Sequence, residues 1–286
     1  MNTYRIFTDS ACDIPSDKLA ELNVSSVSLT FRFSDDNKEY YNDGMTSVEF
    51  YNRMRKGGVA KTSAVNSTAF EAEFEDVLES GEDILYIGFS SGLSTTYNSA
   101  FTAMKTLQAR YPERKLLSVD TRSASLGFGL LLYLTVKKRD EGAGIEEACE
   151  YASSLVDSLC HWFTVDDLVY LKRGGRVSAT TAFVGNMLGI KPVLHMDEAG
   201  HLINMSKVRG RRASIAALAD KYSALCSDKS APVFISHGDC LGDAELLASM
   251  ISERGGKVEM IDFVGPVIGA HAGPGVLALF FIGKER

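Results

Sequence analysis

An α/β architecture follows from three features of this 286-residue chain. Short apolar runs alternate with longer segments of helical period, polar clusters close the apolar runs, and two extended runs in the second half flank a polar, glycine-containing turn. Together these predict a doubly wound, mostly parallel sheet domain over residues 1–160. A second α/β domain with a mixed or antiparallel sheet follows over 161–286.

Taken in order, residues 4–7 read as a first strand that ends in Thr8-Asp9-Ser10. Phe70, Phe74, Val77 and Leu78 recur at helical spacing between Asn66 and Gly81. Residues 84–89 form the next strand, and Tyr97, Phe101, Met104 and Leu107 line one face of the helix after it. Another strand over 115–119 closes at Asp120-Thr121. Residues 127–138 and 145–161 read as two consecutive helices. Residues 190–196 and 202–205 around Asp197-Glu198-Ala199-Gly200 imply an antiparallel hairpin. Helices over 212–225 and 242–253 and strands over 232–235, 258–263 and 276–282 complete the chain. Ligands of such folds lie at strand carboxyl ends and between domains, where the polar clusters fall.

Composition narrows the function. Hydrophobic residues make up 45% and charged residues 23%, enough for a real core. A formal charge of −7 argues against a general nucleic-acid binder. Five dispersed cysteines without a C-x-x-C, and an amino terminus lacking the order of a secretory signal, suit reduced thiols in the cytoplasm. No histidines stand at metal-binding helical spacing, so no metal is expected. The apolar stretch 264–283 carries Pro266 and Pro274, which a membrane span would not tolerate easily; it reads as a buried loop leading to a buried strand.

Gly88-Phe89-Ser90-Ser91-Gly92 satisfies G-x-S-x-G, the elbow of serine hydrolases, and His237 or His271 follows in the matching order. An elbow requires a helix directly after the nucleophile, whereas the better helix cap is Ser94. A serine hydrolase using Ser90 is therefore the alternative rather than the first reading. Ser94-Thr95-Thr96 would instead offer hydroxyls and free N–H groups at the positive end of a helix dipole, a setting for a carboxylate or phosphate. Lys61-Thr62-Ser63 before the Phe70 helix forms a second such cluster. Neither G-x-G-x-x-G nor a phosphate-binding G-x-x-x-x-G-K-[ST] is present. Asp9 lacks the D-x-D pairing of a phosphatase. His195 and His201, beside the hairpin turn, read as surface residues, and His237 as structure.

Many segments in order resemble the DegV family of bacterial fatty-acid-binding proteins, nearly end to end. They are Phe7-Thr8-Asp9-Ser10-Ala11-Cys12-Asp13, Thr62-Ser63, Ser90-Ser91-Gly92-Leu93-Ser94 with Tyr97, and Val119-Asp120-Thr121. Further on come Asp167 through Arg173-Gly174-Gly175-Arg176 to Ser178, Gly189-Ile190-Lys191-Pro192, and Gly269-Ala270-His271-Ala272-Gly273-Pro274-Gly275. The resemblance implies a palmitate-like long-chain fatty acid as ligand and no cofactor. Its carboxylate would be held by Thr62 and Ser94 with His271 in the network, and Ser63, Thr95 and Thr96 nearby. It also implies delivery of the acid to a separate fatty acid kinase, whose acyl phosphate enters phospholipid synthesis. The chain itself would then be a lipid-binding protein rather than an enzyme. Arg173, Arg176, Arg209 and Arg211 belong to two basic clusters that could meet the kinase or an anionic membrane surface. Two departures stand out: Ala64-Val65 where relatives commonly have Gln-Pro, and Thr95-Thr96 where they commonly have Gly-Thr.

Overall fold

The computed structural model describes residues 3–177 and 189–286, so Ser178 of the basic run lies outside the described residues. The first sheet is parallel throughout, in the order β2 (Val24–Val27), β1 (Tyr4–Asp9), β6 (Asp83–Gly88), β7 (Leu116–Asp120). All six residues of β6 are buried, the continuous apolar reading of a central parallel strand. The chain winds outward from β1 on one side and from β6 on the other. The gap between their carboxyl ends is therefore the switch point where such sheets bind ligands.

A small antiparallel sheet that the sequence reading does not anticipate joins β3 (Thr30–Phe33), β4 (Tyr40–Tyr41) and β5 (Ala60–Ser63). Helix α1 (Ser16–Glu21) precedes β2, and α2 (Ser47–Arg55) lies between β4 and β5. Helix α3 (Ser67–Glu79) starts at Asn66, whose Oδ1 accepts from the Ala69 N–H at 2.9 Å. Helix α4 is Thr96–Arg110. Helix α5 (Leu126–Asp140) buries Leu126, Phe128 and Leu130 to Leu132 and packs against both large sheets, so it is apolar nearly all round.

The second sheet has six strands in the order β10 (Leu202–Arg209), β9 (Ile190–Met196), β8 (Leu159–Thr164), β13 (Leu277–Ile282), β11 (Pro232–His237), β12 (Lys257–Phe263). Its pairs are antiparallel except β11 with β12, which gives the mixed sheet expected. Trp162, Ile235, Leu277, Leu279 and Phe281 face one way, into a core closed by α8 (Arg211–Leu225) and α9 (Leu241–Glu253). Phe163, Ala278, Phe280 and Phe234 face the other way, toward α5, in a core shared with the first sheet. The alternation is the period-two consequence of the pleat.

Three expectations need correcting. The helix predicted over 145–161 is α6 (Ile145–Val156), and the chain then enters β8, whose six buried residues pair with β13. Leu155, Val156 and Leu159 stand at i, i+1 and i+4, so helical spacing runs on past the true helix end and conceals it. The expected loop in 264–276 contains a short helix, α10 (Pro266–Ala272), with Pro266 where a helix start tolerates it. His195 is buried, 6% exposed, and stacks on Trp162 with ring centroids 4.2 Å apart. Among the described residues no helix is long and apolar enough to cross a membrane.

Candidate functional site

At the switch point the loop after β6 is held from beneath by Asp9. This fully buried carboxylate accepts from the Tyr86 hydroxyl at 2.7 Å, the Phe89 N–H at 3.0 Å and the Ala11 N–H at 3.1 Å. Burial raises its pKa to about 6, against the lowering effect of those donors. Asp9 thus organises the loop and takes no position open to a substrate.

Ser90 is also fully buried. Its Oγ donates to the Gly200 carbonyl at 2.9 Å and accepts from the Gly92 N–H at 3.2 Å. A Cβ on Gly92 would sit 2.6 Å from the Ala199 carbonyl oxygen, so the hairpin turn rests directly on this glycine. The G-x-S-x-G pattern therefore locks the β9–β10 turn onto the first sheet. No histidine bonds Ser90 among the described residues, and α4 begins six residues later, so the serine-hydrolase alternative is not supported. Thr95 occupies the cap position of α4, where Ser94 was expected. The Ser94 Oγ still accepts from the Thr96 N–H at 3.2 Å and shares a 2.9 Å hydrogen bond with the Thr96 hydroxyl.

Thr62 comes from the unanticipated small sheet. It projects from β5 and not from a helix start, since Asn66 caps α3. Its Oγ1 lies 2.8 Å from His271 Nε2, at the end of α10. The other imidazole nitrogen, Nδ1, is buried and has no partner among the described residues. A Cβ on Gly174 would fall 2.2 Å from that nitrogen, so the glycine pair after Arg173 lets the backbone lie against the ring. Burial, and then the Arg176 guanidinium, push the His271 pKa down to about 4, which keeps the ring neutral near pH 7. Arg176 is half-buried. Its Nη2 and Nε donate to the Leu93 carbonyl at 3.1 and 3.3 Å, and Nη1 to that of Gly174.

These groups border one cavity of about 370 Å³, within the roughly 300–1,000 Å³ of ligand pockets. Thr62, Ser94, Arg176 and His271 all line it. Its other walls are largely apolar, among them Leu29, Phe89, Leu171, Val267 and Val276. The floor is the α5-facing side of the second sheet, where Ala278 and Phe163 lie side by side with Ser236 and His161. The site can take a long apolar body and bind a small polar head with uncharged donors near one cation.

The remaining site candidates separate. Ser63 is exposed at the end of β5, and Thr95 is exposed but borders the cavity, while Thr96 is buried. Arg173 is exposed with its guanidinium 5.7 Å from the Tyr170 ring centre, and Arg209 is exposed at the end of β10. Arg211 is half-buried and engaged with Asp243 at 2.8 Å. Arg176, grouped by sequence with the basic patch, sits in the cavity wall. The sequence reading also misses Gly174, Leu29 and the polar floor residues Ser125, Ser236 and His161. The adjacent glycines of Arg173-Gly174-Gly175-Arg176 were the signal available for the first of these.

Comparison with known proteins covers nearly the whole chain. The model of the DegV family, described as uncharacterised, matches residues 3–284. A DegV domain-containing protein of Clostridium perfringens is 42% identical, covering 100% of this chain and 99% of its own. The crystal structure of a DegV lipid-binding protein from Thermotoga maritima superposes with a TM-score of 0.85 at 29% identity, over 99% of both chains. A DegV family protein from Eubacterium eligens, loaded with heptadecanoic acid, superposes with a TM-score of 0.85 at 25% identity, over 99% of this chain and 100% of its own. A buried serine interlock, a Thr–His pair beside an apolar cavity, and similarity along the whole chain lead to one conclusion: this chain belongs to the DegV family.

Proposed function

We propose that this chain binds a palmitate-like long-chain fatty acid without reacting with it and presents the carboxylate to a separate fatty acid kinase. The observation that carries the reading is the Thr62–His271 pair, 2.8 Å apart, set with Ser94 on the wall of an otherwise largely apolar cavity. With Nε2–H donating to Thr62 Oγ1, the Thr62 hydroxyl proton is free for a carboxylate oxygen. Ser94, at the positive end of α4, supplies a second donor. Arg176 lends positive potential while its donors are spent on backbone carbonyls. The carboxylate is therefore neutralised without a two-point clamp, and one oxygen stays open to attack phosphorus. The tail provides most of the affinity, about 0.8 kcal/mol per buried methylene.

In this reading residues 1–160 carry the hydroxyl-bearing strand and turn, and residues 161–286 supply the floor, His271 and Arg176. The kinase brings ATP, the fatty carboxylate takes its terminal phosphoryl group, and the acyl phosphate passes to phospholipid synthesis. Arg173 and Arg209, both exposed, are the basic residues this reading assigns to contact with the kinase or anionic headgroups. The free cysteines suit a reducing, cytoplasmic setting.

Denaturing the purified protein and analysing the organic extract by mass spectrometry should give a roughly stoichiometric fatty acid. No acid, with fluorophosphonate labelling of Ser90, would reject the reading. Thr62→Ala and Ser94→Ala should each weaken fatty-acid binding about 3- to 30-fold. Ser90→Ala, which loosens the hairpin turn only, should weaken it less. Equal or reversed losses would show that the wrong hydroxyls have been assigned.

A further inference from the structure

A buried acid stands behind the helix that carries His271. Asp13 closes the single turn Ser10–Cys12 after β1 with a left-handed backbone, φ 55° and ψ 15°, which aspartate tolerates better than most residues. It is 8% exposed, and neither carboxyl oxygen has a hydrogen-bond partner among the described residues. An unbonded buried carboxylate is costly, and packing alone would be served better by an apolar side chain.

Asp13 lies against the start of α10. A Cβ on Gly265, the residue before that helix, would fall 2.4 Å from Asp13 Oδ1 and 2.9 Å from Asn42 Nδ2. Asn42 ties the same place to the first domain: its Nδ2 donates to the Ser10 carbonyl and its Oδ1 accepts from the Val267 N–H, each at 2.9 Å. The buried Tyr51 hydroxyl donates to the Val264 carbonyl at 2.7 Å. At the other end of this seven-residue helix His271 meets Thr62, and Val267 and Ile268 line the cavity between. A short hydrogen-bonded helix moves as a unit, so a shift at Gly265 reaches the imidazole.

The groups around Asp13 are acids or neutral. Burial, against the lowering influence of Ser125, the Gly265 N–H and Asn42, and with the Asp262 carboxylate of β12 adding to it, pushes its pKa up to about 7. Burial also keeps the adjoining Cys12 thiol and Tyr51 hydroxyl neutral, and Asp9 across the turn is raised to about 6. No cation is among the groups that act on Asp13. In its acid form Asp13 has a proton for Ser125 Oγ, whose own proton goes to Ser236 at 3.1 Å, and an oxygen for the Gly265 N–H. Ionised, it loses that proton and faces Asp262 with no counter-charge. The two forms therefore hold Gly265 differently.

We infer that Asp13 is a positioning residue for the fatty-acid site: neutral, it seats the start of α10 and so His271 against Thr62, and on ionising it releases that seat. The inference rests on the fatty-acid reading and adds to it a proton that must be in place for tight binding. A ligand that prefers the neutral form binds more weakly as pH rises through the range where Asp13 ionises.

The test measures palmitic acid binding to the full chain freed of lipid, from about pH 6 to about pH 8.5, in wild type and in Asp13→Asn. Asparagine suits a left-handed backbone and keeps a neutral carbonyl and donor. Comparing the two proteins at each pH cancels the titration of the fatty acid itself. The affinity of Asp13→Asn relative to wild type should rise about 3- to 10-fold across this range. With His271→Ala introduced into both, that rise should vanish, which a residue that merely stabilises the fold would not show. Should Asp13→Asn not fold, Asp13→Gly, at home at positive φ and equally without a titrating group, carries the same comparison. A ratio that stays level with pH would overturn the inference and leave fatty-acid binding intact. So would a rise that survives His271→Ala, since Asp13 would then act elsewhere. Failure of the wild type to bind palmitic acid at any pH would overturn both.

Discussion

The two faces of the second sheet are built by the same strands and put to opposite uses. On β13, Leu277, Leu279 and Phe281 enter the core under α8 and α9, where Trp162 and Ile235 meet them. The residues between them, Ala278 and Phe280, face α5, and there the floor opens into a cavity. One face is filled to stabilise the fold. The other gives up packing, with small Ala278 and polar Ser236 and His161 at positions that large apolar side chains could occupy. A one-residue step along a strand thus separates stability from binding, and substitutions on adjacent residues can test the division.

Leu279→Ala should lose about 2–5 kcal/mol in urea denaturation through the cavity it leaves in the filled face, with fatty-acid stoichiometry per folded molecule unchanged. Ala278→Phe, one residue away, should do the reverse: it fills the floor, lowers fatty-acid affinity at least about 10-fold and changes stability by less than about 2 kcal/mol. Equal stability losses from both would erase the distinction between the faces.

Protonation offers a second contrast, because His195 lies on the filled face against Trp162 and His161 on the cavity face. Burial depresses the His195 pKa from its usual 6.5 to about 4. Between these values the unfolded chain takes up a proton that the folded chain refuses. The stability from keeping this histidine neutral is therefore fully present above about pH 6.5 and lost as pH falls toward 4. His195→Gln should flatten that acid slope by on the order of 2 kcal/mol between pH 7.5 and pH 5, read from urea midpoints. Asp9 and Asp13 act with the opposite sign. Burial raises them to about 6 and about 7, so their contribution is fully present below pH 3.8 and lost as pH rises through those values. The variant-minus-wild-type slope isolates the histidine. An unchanged slope would mean that His195 titrates freely in the folded state.

The smallest effect touches the cavity without touching the sheet. Gly174→Ala pushes a methyl group into His271 Nδ1 and should turn the imidazole away from Thr62. The expected result is fatty-acid binding weakened about 3- to 10-fold, with stability altered by less than about 1 kcal/mol. Unaltered binding would mean that the Thr62–His271 contact is dispensable.

Sequence exposed those parts of the molecule whose signals are local. The six buried residues of β6, Met104 and Leu107 on α4, and the β9–β10 hairpin follow from period and turn chemistry alone, whereas Phe101, read on the same face of α4, is exposed. The small sheet does not, because strands of two to four residues are too short to display a period, and it carries Thr62. Lys61-Thr62-Ser63 reads as a donor cluster at a helix start, but Thr62 projects from a strand paired with β3, and the helix starts at Asn66. Arg176 was placed with the surface basics because nothing near it in the chain reveals that Leu93, 83 residues earlier, offers it a carbonyl. Ser90 and Ser94, four residues apart, differ only in what the fold brings to each: a hairpin turn to one and the cavity to the other.

Trp162 is the chain's single tryptophan, and it stands on β8 between two residues whose side chains border the cavity while its own points away. Its indole stacks on His195, and the Lys221 ammonium lies 4.2 Å from the ring centre. Native emission should therefore follow the melting of the second core and the charge on His195, and stay blind to what the cavity holds. The molecule carries its own optical reference: a lipid that shifts this signal must have moved a strand, because it cannot have touched the dye.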